Sequence, residues 1–192
     1  RFESRGLGDV YKRQVFINKY SKYLKKKKAD AVITDIPRLP IGILTADCAP
    51  ILIFDKQKKM VAAIHAGWKG AYKGIISKVI NFMIKKGCEK KNMIAVIGPC
   101  IAQKSYNVKE DFKRKFLKKD KRNKVFFKKR KNLIYFDLSK YVKLQLKLMK
   151  ITNLETINID TFPKKNNFFS ARRSLHLNHD DYGRNISLIM IN

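Results

Sequence analysis

Short runs of apolar residues, separated by polar turns, dominate the pattern of this chain. Three of them lie close together, at residues 41–44, 51–54 and 61–64. Runs of this length, bounded by turn signals, are typical of buried strands. The same pattern predicts further strands at residues 15–17, 29–35, 93–97, 154–159 and 185–191.

Helical spacing of apolar residues predicts three helices, at residues 72–83, 109–118 and 138–149. Gly87 is placed to end the first of them with a left-handed residue. Asp137 is placed to cap the third, although alternation within residues 142–148 also fits a strand. The span at residues 118–131 is strongly polar and is predicted to be an exposed loop. Strands interspersed with helices, without a repeat or linker, predict one α/β or α+β domain.

The first 14 residues differ in character from the rest of the chain. They hold glycines and acids in a short span and show little periodicity, whereas the following sequence is rich in Lys and Ile. We therefore expect residues 1–14 to be a non-native segment and residues 15–192 to form the domain, with its native N-terminal part missing.

The formal net charge of +29 suggests an anionic partner. The lysines are spread over nearly every element, and no nucleic-acid-binding motif accompanies them, so no specific nucleic-acid partner is expected. No apolar run approaches the roughly 20 residues of a membrane helix, so no membrane partner is expected either. Three cysteines without a secretion signal indicate a reducing cytoplasm, and Cys88 is interpreted as structural.

Two residues at the ends of the apolar runs carry metal-binding chemistry. Cys48 follows the first run and His65 follows the third, and thiolate and imidazole are usual zinc donors. Neighbouring strands would bring them together. Asp47 is a candidate general base, an orienting group or a capping carboxylate. His176 and His179 lie in a predicted loop. They are either exposed histidines without a site function, or one of them supplies a further metal ligand.

Five motifs resemble one family along residues 29–191 in the family's order. The motifs are TADCAPILIFD at residues 45–55, AAIHAGWKGAYKGI at 62–75, AVIGPCI at 95–101, FFSARR at 168–173 and YGR at 182–184. Together they resemble the multicopper polyphenol oxidase or laccase-domain family, which includes the YfiH-type proteins. The resemblance implies a single α/β domain of layered mixed sheets flanked by helices.

The resemblance also implies an activity. The family comprises zinc-dependent purine nucleoside phosphorylases with adenosine deaminase activity, acting on adenosine, inosine, guanosine and methylthioadenosine. Purine nucleosides and phosphate are thus the expected partners, and the expected assembly is a monomer or a homodimer. The resemblance implies zinc as the cofactor. A copper polyphenol oxidase is a less favoured alternative, because multicopper oxidation needs more than the three histidines present. A truncated, catalytically impaired family member is the other alternative.

Individual roles follow from the same resemblance. The family holds its zinc with two histidines and one cysteine, of which Cys48 and His65 match two. The other histidine belongs to a Gln-x-His motif that would fall within or before residues 1–14, where no histidine occurs. With Asp47, these two residues form the expected catalytic set. Lys69, Arg172 and Arg173 are the expected phosphate or substrate contacts, and Lys69 stands where the family usually has Arg. 

Overall fold

The computed structural model describes residues 14–18, 29–179 and 182–192. In this part of the chain the strands are β1 (Gln14–Ile17), β2 (Ala31–Thr34), β3 (Ile41–Thr45), β4 (Ala49–Asp55), β5 (Met60–Ala66), β6 (Met93–Ile97), β7 (Asn107–Val108), β8 (Phe127–Arg130), β9 (Leu133–Phe136), β10 (Asn153–Thr156) and β11 (Asn185–Ile189). The helices are α1 (Trp68–Tyr72), α2 (Ile75–Lys85), α3 (Glu110–Lys119), α4 (Leu138–Leu148) and α5 (Ala171–His176). The predicted mixture of strands and helices is confirmed.

A six-stranded mixed sheet forms the centre of the fold. Its order is β1-β2-β5-β4-β6-β10. The four inner strands are antiparallel to their inner neighbours, whereas β1 and β10 join the edges in parallel. β11 and β3 form a second, antiparallel sheet, and β7, β9 and β8 form a third. The expected layering of mixed sheets is therefore present.

Two cores cover the two faces of the central sheet. Helices α2 and α4 supply one core, where buried Ile, Met and Val side chains pack on β4, β5 and β6. Phe116, Phe126 and Phe136 extend this core under α3 and the three-stranded sheet. The second core lies between the opposite face and the β3–β11 sheet, and includes Val61 and Ile43. Burial of these apolar faces drives the layers together.

Two of the predicted helix boundary signals are confirmed. Gly87 has φ +91°, as expected of a left-handed helix end, and the Asp137 carboxylate accepts a hydrogen bond from the Lys140 backbone N–H at 2.8 Å. The single helix predicted at residues 72–83 is instead α1 followed by α2. Gly74 separates them because its φ of +84° cannot continue a right-handed helix.

Other predictions were wrong where the sequence pattern was weak. The predicted loop at residues 118–131 contains a 3₁₀ turn, Lys121–Phe126, and strand β8, whose side chains are mostly exposed and so give no alternation. The strand predicted at residues 154–159 is only the four-residue β10. His176 ends helix α5 rather than lying in a loop. Gln14, assigned above to the foreign segment, pairs with Ala31 in β1 and β2. Residues 1–13 lie outside the described part.

In the described residues no helix combines the length and apolar character needed to cross a membrane.

Candidate functional site

Cys48 and His65 meet at one end of the central sheet. Cys48 immediately precedes β4, and His65 lies in β5, directly opposite Pro50 of β4. A Cβ added to Gly67 would stand 2.8 Å from Cys48 Sγ and 3.7 Å from His65 Nε2. The Cys48 sulfur and the His65 nitrogen therefore both lie beside Gly67, where a larger residue would collide with the sulfur. The predicted proximity is confirmed, although β4 rather than β3 brings the thiol beside β5.

Burial sets the protonation of this pair. It raises the pKa of the Cys48 thiol to about 12, and the charges of Asp47 and Asp30 add to the effect. Burial also lowers the pKa of His65 to about 4, and the nearby Arg184 guanidinium adds to that shift. At neutral pH the His65 imidazole is therefore neutral, as metal binding requires, whereas the Cys48 thiol would have to lose its proton.

The donor set fits zinc in part. A thiolate sulfur and an imidazole nitrogen suit this ion, and a catalytic zinc usually has three protein ligands. Across residues 14–18, 29–179 and 182–192, no group of three or more His, Cys, Asp or Glu side chains could hold a metal ion. His176 and His179 are exposed, and the His176 ring packs against Phe162 with centroids 5.6 Å apart. The described residues therefore supply two donors of the expected three.

Asp47 connects the metal-donor pair to the C-terminal region. Its carboxylate accepts hydrogen bonds from the Thr161 hydroxyl at 2.7 Å, the Ser170 hydroxyl at 2.9 Å and the Arg172 backbone N–H at 2.7 Å. Its φ of +78° is unusual for a residue other than glycine, and its carbonyl accepts from the Ile101 backbone N–H. Three donors on one buried carboxylate favour an anchoring function, while its role as a general base stays a prediction.

Arg173 is also engaged by the protein. Its Nη1 donates to the carbonyls of Thr161 at 3.1 Å and Phe162 at 2.6 Å, and its Nη2 donates to that of Phe168 at 2.5 Å. These bonds join the segment before α5 to the loop after β10. Phosphate binding by Arg173 stays a prediction, and the bonding favours a bracing function.

The Arg172 guanidinium lies beside Tyr106 and Asn107, away from the carbonyls that Arg173 contacts. Its Nη1 donates to the carbonyl of Asn107 at 2.9 Å and to its side-chain oxygen at 2.5 Å. Its Cζ lies 5.3 Å from the centre of the Tyr106 ring, within cation–π range. Lys69 is exposed on α1, with its Nζ 5.8 Å from the centre of the Trp68 ring.

A cavity of about 710 Å³ adjoins these residues. Trp68, Tyr106, Phe112 and Arg172 line one part of its wall. Trp68 directly follows Gly67 in the chain, whereas Cys48 and His65 are not among the described residues that line the cavity. Of the three predicted anion-binding residues, Arg172 is the one that lines the cavity. The volume lies within the range of roughly 300–1,000 Å³ found for small-molecule sites.

Tyr106 is the cavity residue that the sequence did not reveal. Burial, followed by the charge of Cys48, raises its pKa far above the usual value for a phenol, while Arg172 acts in the opposite direction. Its hydroxyl is therefore neutral throughout the physiological range and retains its proton. No motif marked this residue, because only the packing of β7 and α5 brings it beside Arg172.

Comparisons with known proteins identify relatives of this chain. A profile described as multi-copper polyphenol oxidoreductase laccase matches residues 7–192. That match takes in residues 7–14 of the segment expected to be foreign, whose origin stays a prediction. The chain is 38% identical over 182 residues to a protein named purine nucleoside phosphorylase from Rickettsia conorii, covering 94% of this chain and 74% of that one. A Rickettsia prowazekii protein of the same name is 36% identical over 173 residues, covering 89% and 71%.

Solved structures share the fold. A Neisseria meningitidis protein superposes with a TM-score of 0.75 at 28% identity, covering 86% of this chain and 65% of that one. Bacillus licheniformis YfiH gives a TM-score of 0.75 at 29% identity, covering 86% and 62%. The chain therefore spans slightly less than two thirds of these two solved chains. Profile, relatives and fold together establish that the chain belongs to the multi-copper polyphenol oxidoreductase laccase family.

Proposed function

We propose that this protein catalyses the phosphorolysis of purine nucleosides. The observation that supports it most directly is the convergence of Cys48 Sγ and His65 Nε2 beside Gly67, next to a cavity of nucleoside size. The names of the two Rickettsia relatives point to the same reaction. Adenosine deamination, in which water adds at C6 and ammonia leaves, is the second activity that we propose for the same site.

The proposed site has two parts, a phosphate-binding part at Arg172 and a metal-binding part at Cys48 and His65. A phosphate oxygen attacks C1′ of the ribose, the bond from C1′ to N9 breaks, and ribose 1-phosphate and a free purine base are formed. Arg172 supplies positive charge at the cavity wall, and its contacts with Asn107 hold the guanidinium in place for phosphate. The protein thereby orients phosphate and limits the freedom of both reactants.

A metal ion would act at the other part. Cys48 and His65 are the residues that would hold zinc, which when bound polarises oxygen and lowers the pKa of a coordinated water toward neutrality. Asp47 holds the strand end that carries Cys48 against Ser170 and Arg172. Asp47 thus fixes the position of Cys48, at the proposed metal site, relative to Arg172, at the proposed phosphate site.

The family description raises a different possibility, copper-dependent phenol oxidation. A blue-copper centre uses two histidines with a cysteine, and multicopper oxidation needs further histidines. The whole chain contains three, of which two are exposed at and after the end of α5. This donor supply favours the phosphorylase proposal.

The test is product analysis with the purified chain. Inosine is incubated with and without phosphate, and hypoxanthine and ribose 1-phosphate are quantified by chromatography. We expect both products to require phosphate. Cys48→Ala should lower the rate about 100-fold or more, since it removes a proposed metal ligand. Cys88→Ala is the matched control, because Cys88 lies in the core against Met60, with a sulfur–sulfur distance of 3.7 Å.

The other outcomes would reject the proposed reaction or the proposed role of Cys48. Absence of phosphate-dependent products from the wild-type chain would support a catalytically impaired family member. Oxidation of a phenol by the copper-loaded protein, without nucleoside cleavage, would support the oxidase. Equal rates for Cys48→Ala and Cys88→Ala would remove Cys48 from the mechanism.

A further inference from the structure

We propose that the hydroxyl of Tyr106 donates a hydrogen bond to N7 of the purine base, which makes Tyr106 a further substrate-contacting residue. This inference rests on the proposed phosphorolysis and specifies how the site recognises the base. Neither Tyr106 nor any other aromatic residue of the cavity was assigned a role by the sequence.

The first argument is that Tyr106 is held rigidly. Its ring meets Phe136 and Phe112 edge to face, with centroids 5.9 Å and 6.4 Å apart. Its backbone carbonyl accepts a hydrogen bond from the Phe136 N–H at 3.0 Å. A side chain fixed by packing and backbone pairing presents its hydroxyl at a defined position, which selective recognition requires.

The second argument is the location of the hydroxyl. Tyr106 shares the cavity wall with Trp68 and Arg172, and the Arg172 guanidinium lies 5.3 Å from the centre of its ring. In the part of the chain that the structure describes, the Tyr106 hydroxyl makes no hydrogen bond to another protein group. Its donor is thus available to a ligand that lies in the cavity beside Arg172.

The third argument is the chemistry of the leaving base. When the bond from C1′ to N9 breaks, the electron pair passes to the purine, and N7 shares the resulting negative charge in the same five-membered ring. N7 also lies on the purine edge between C6, where deamination occurs, and N9. A fixed donor aimed at N7 would therefore stabilise charge that develops in the transition state.

The experiment measures binding through Trp68, the single tryptophan of the chain and a residue of the cavity wall. Its fluorescence is titrated with inosine and with 7-deazainosine, in which a carbon replaces N7. We expect the wild-type protein to bind inosine about tenfold more tightly, as one lost hydrogen bond implies. Tyr106→Phe should bind both compounds equally, with an unchanged circular dichroism spectrum.

Tyr135→Phe is the matched control, because Tyr135 lies in β9 opposite Asn107 and does not line the cavity. This variant should keep the wild-type preference for inosine. A Tyr106→Phe protein that keeps the preference, or a wild-type protein without one, would overturn the proposal.

The design separates this inference from the proposed function. Binding needs no turnover, so a preference that depends on Tyr106 in a protein that forms no products would reject phosphorolysis alone. Phosphate-dependent products together with an unchanged preference in Tyr106→Phe would reject the Tyr106 contact alone. A wild-type protein that does not bind inosine would reject both.

Discussion

Gly67→Ala should destroy the metal-donor pair while leaving the fold intact. Gly67 has φ −69° and ψ 164°, an extended conformation that alanine adopts without strain. The new Cβ would nevertheless stand 2.8 Å from Cys48 Sγ, where ordinary contact begins at 3.4 Å. The sulfur or the backbone must therefore move by about 0.6 Å or more, whereas a zinc site tolerates distance errors of only about 0.2 Å. 

The assay combines zinc content with stability. We expect zinc per chain and inosine phosphorolysis to fall sharply in Gly67→Ala, with a loss of about 1–3 kcal/mol in unfolding free energy from overpacking. Gly70→Ala is the control, because its Cβ would meet nothing nearer than 3.6 Å. Equal zinc content and activity in the two variants would refute the reasoning, since it would show that the two donors do not converge at Gly67.

Three further predictions concern stability. Asp47→Asn should lower the unfolding free energy by about 2–3 kcal/mol, because an amide cannot accept all three hydrogen bonds; an unchanged urea midpoint would contradict this. Gly74→Ala should cost about 1–2 kcal/mol at its φ of +84° and leave zinc content unchanged, as calorimetry and metal analysis would reveal. Burial, with a contribution from Tyr72, raises the pKa of Tyr141 to about 12. The neutral Tyr141 side chain therefore contributes fully to stability below about pH 10, the pKa of tyrosine in the unfolded chain, and this contribution is lost as the pH rises toward 12. Between pH 10 and 12 the unfolding free energy of Tyr141→Phe, measured with urea, should therefore fall less than that of the wild type. An equal fall in the two proteins would show that Tyr141 is not the residue responsible.

Local pattern was sufficient for the framework of the fold. The apolar run that became β5 is buried on both faces of the sheet, and those that became β4 and β6 alternate buried with half-buried apolar residues, so their composition marked them clearly. Helix α4 was recognisable from Asp137 and its apolar stripe. Strand β8 was missed because its three residues after Phe127 are exposed and basic, and its pairing with β9 is set by the neighbouring packing.

The site was predictable only where chemistry and position coincided in the sequence. Cys48 and His65 stood at the ends of strong strands, and sheet pairing then brought them together. Tyr106 and Arg172 are 66 positions apart in a chain whose local pattern gives no sign of their contact. The bracing bonds of Arg173 reach carbonyls only 5 to 12 positions away, but the apolar and polar pattern carries no signal for side-chain bonds to backbone carbonyls.

The most direct test of the account is the zinc content of the wild-type chain and of Cys48→Ala, measured by mass spectrometry after exhaustive dialysis. If Cys48 and His65 belong to one metal site, the wild type should hold about one zinc per chain and the variant close to none. Zinc that is absent from the wild type, or that is retained in full by Cys48→Ala, would contradict the central claim.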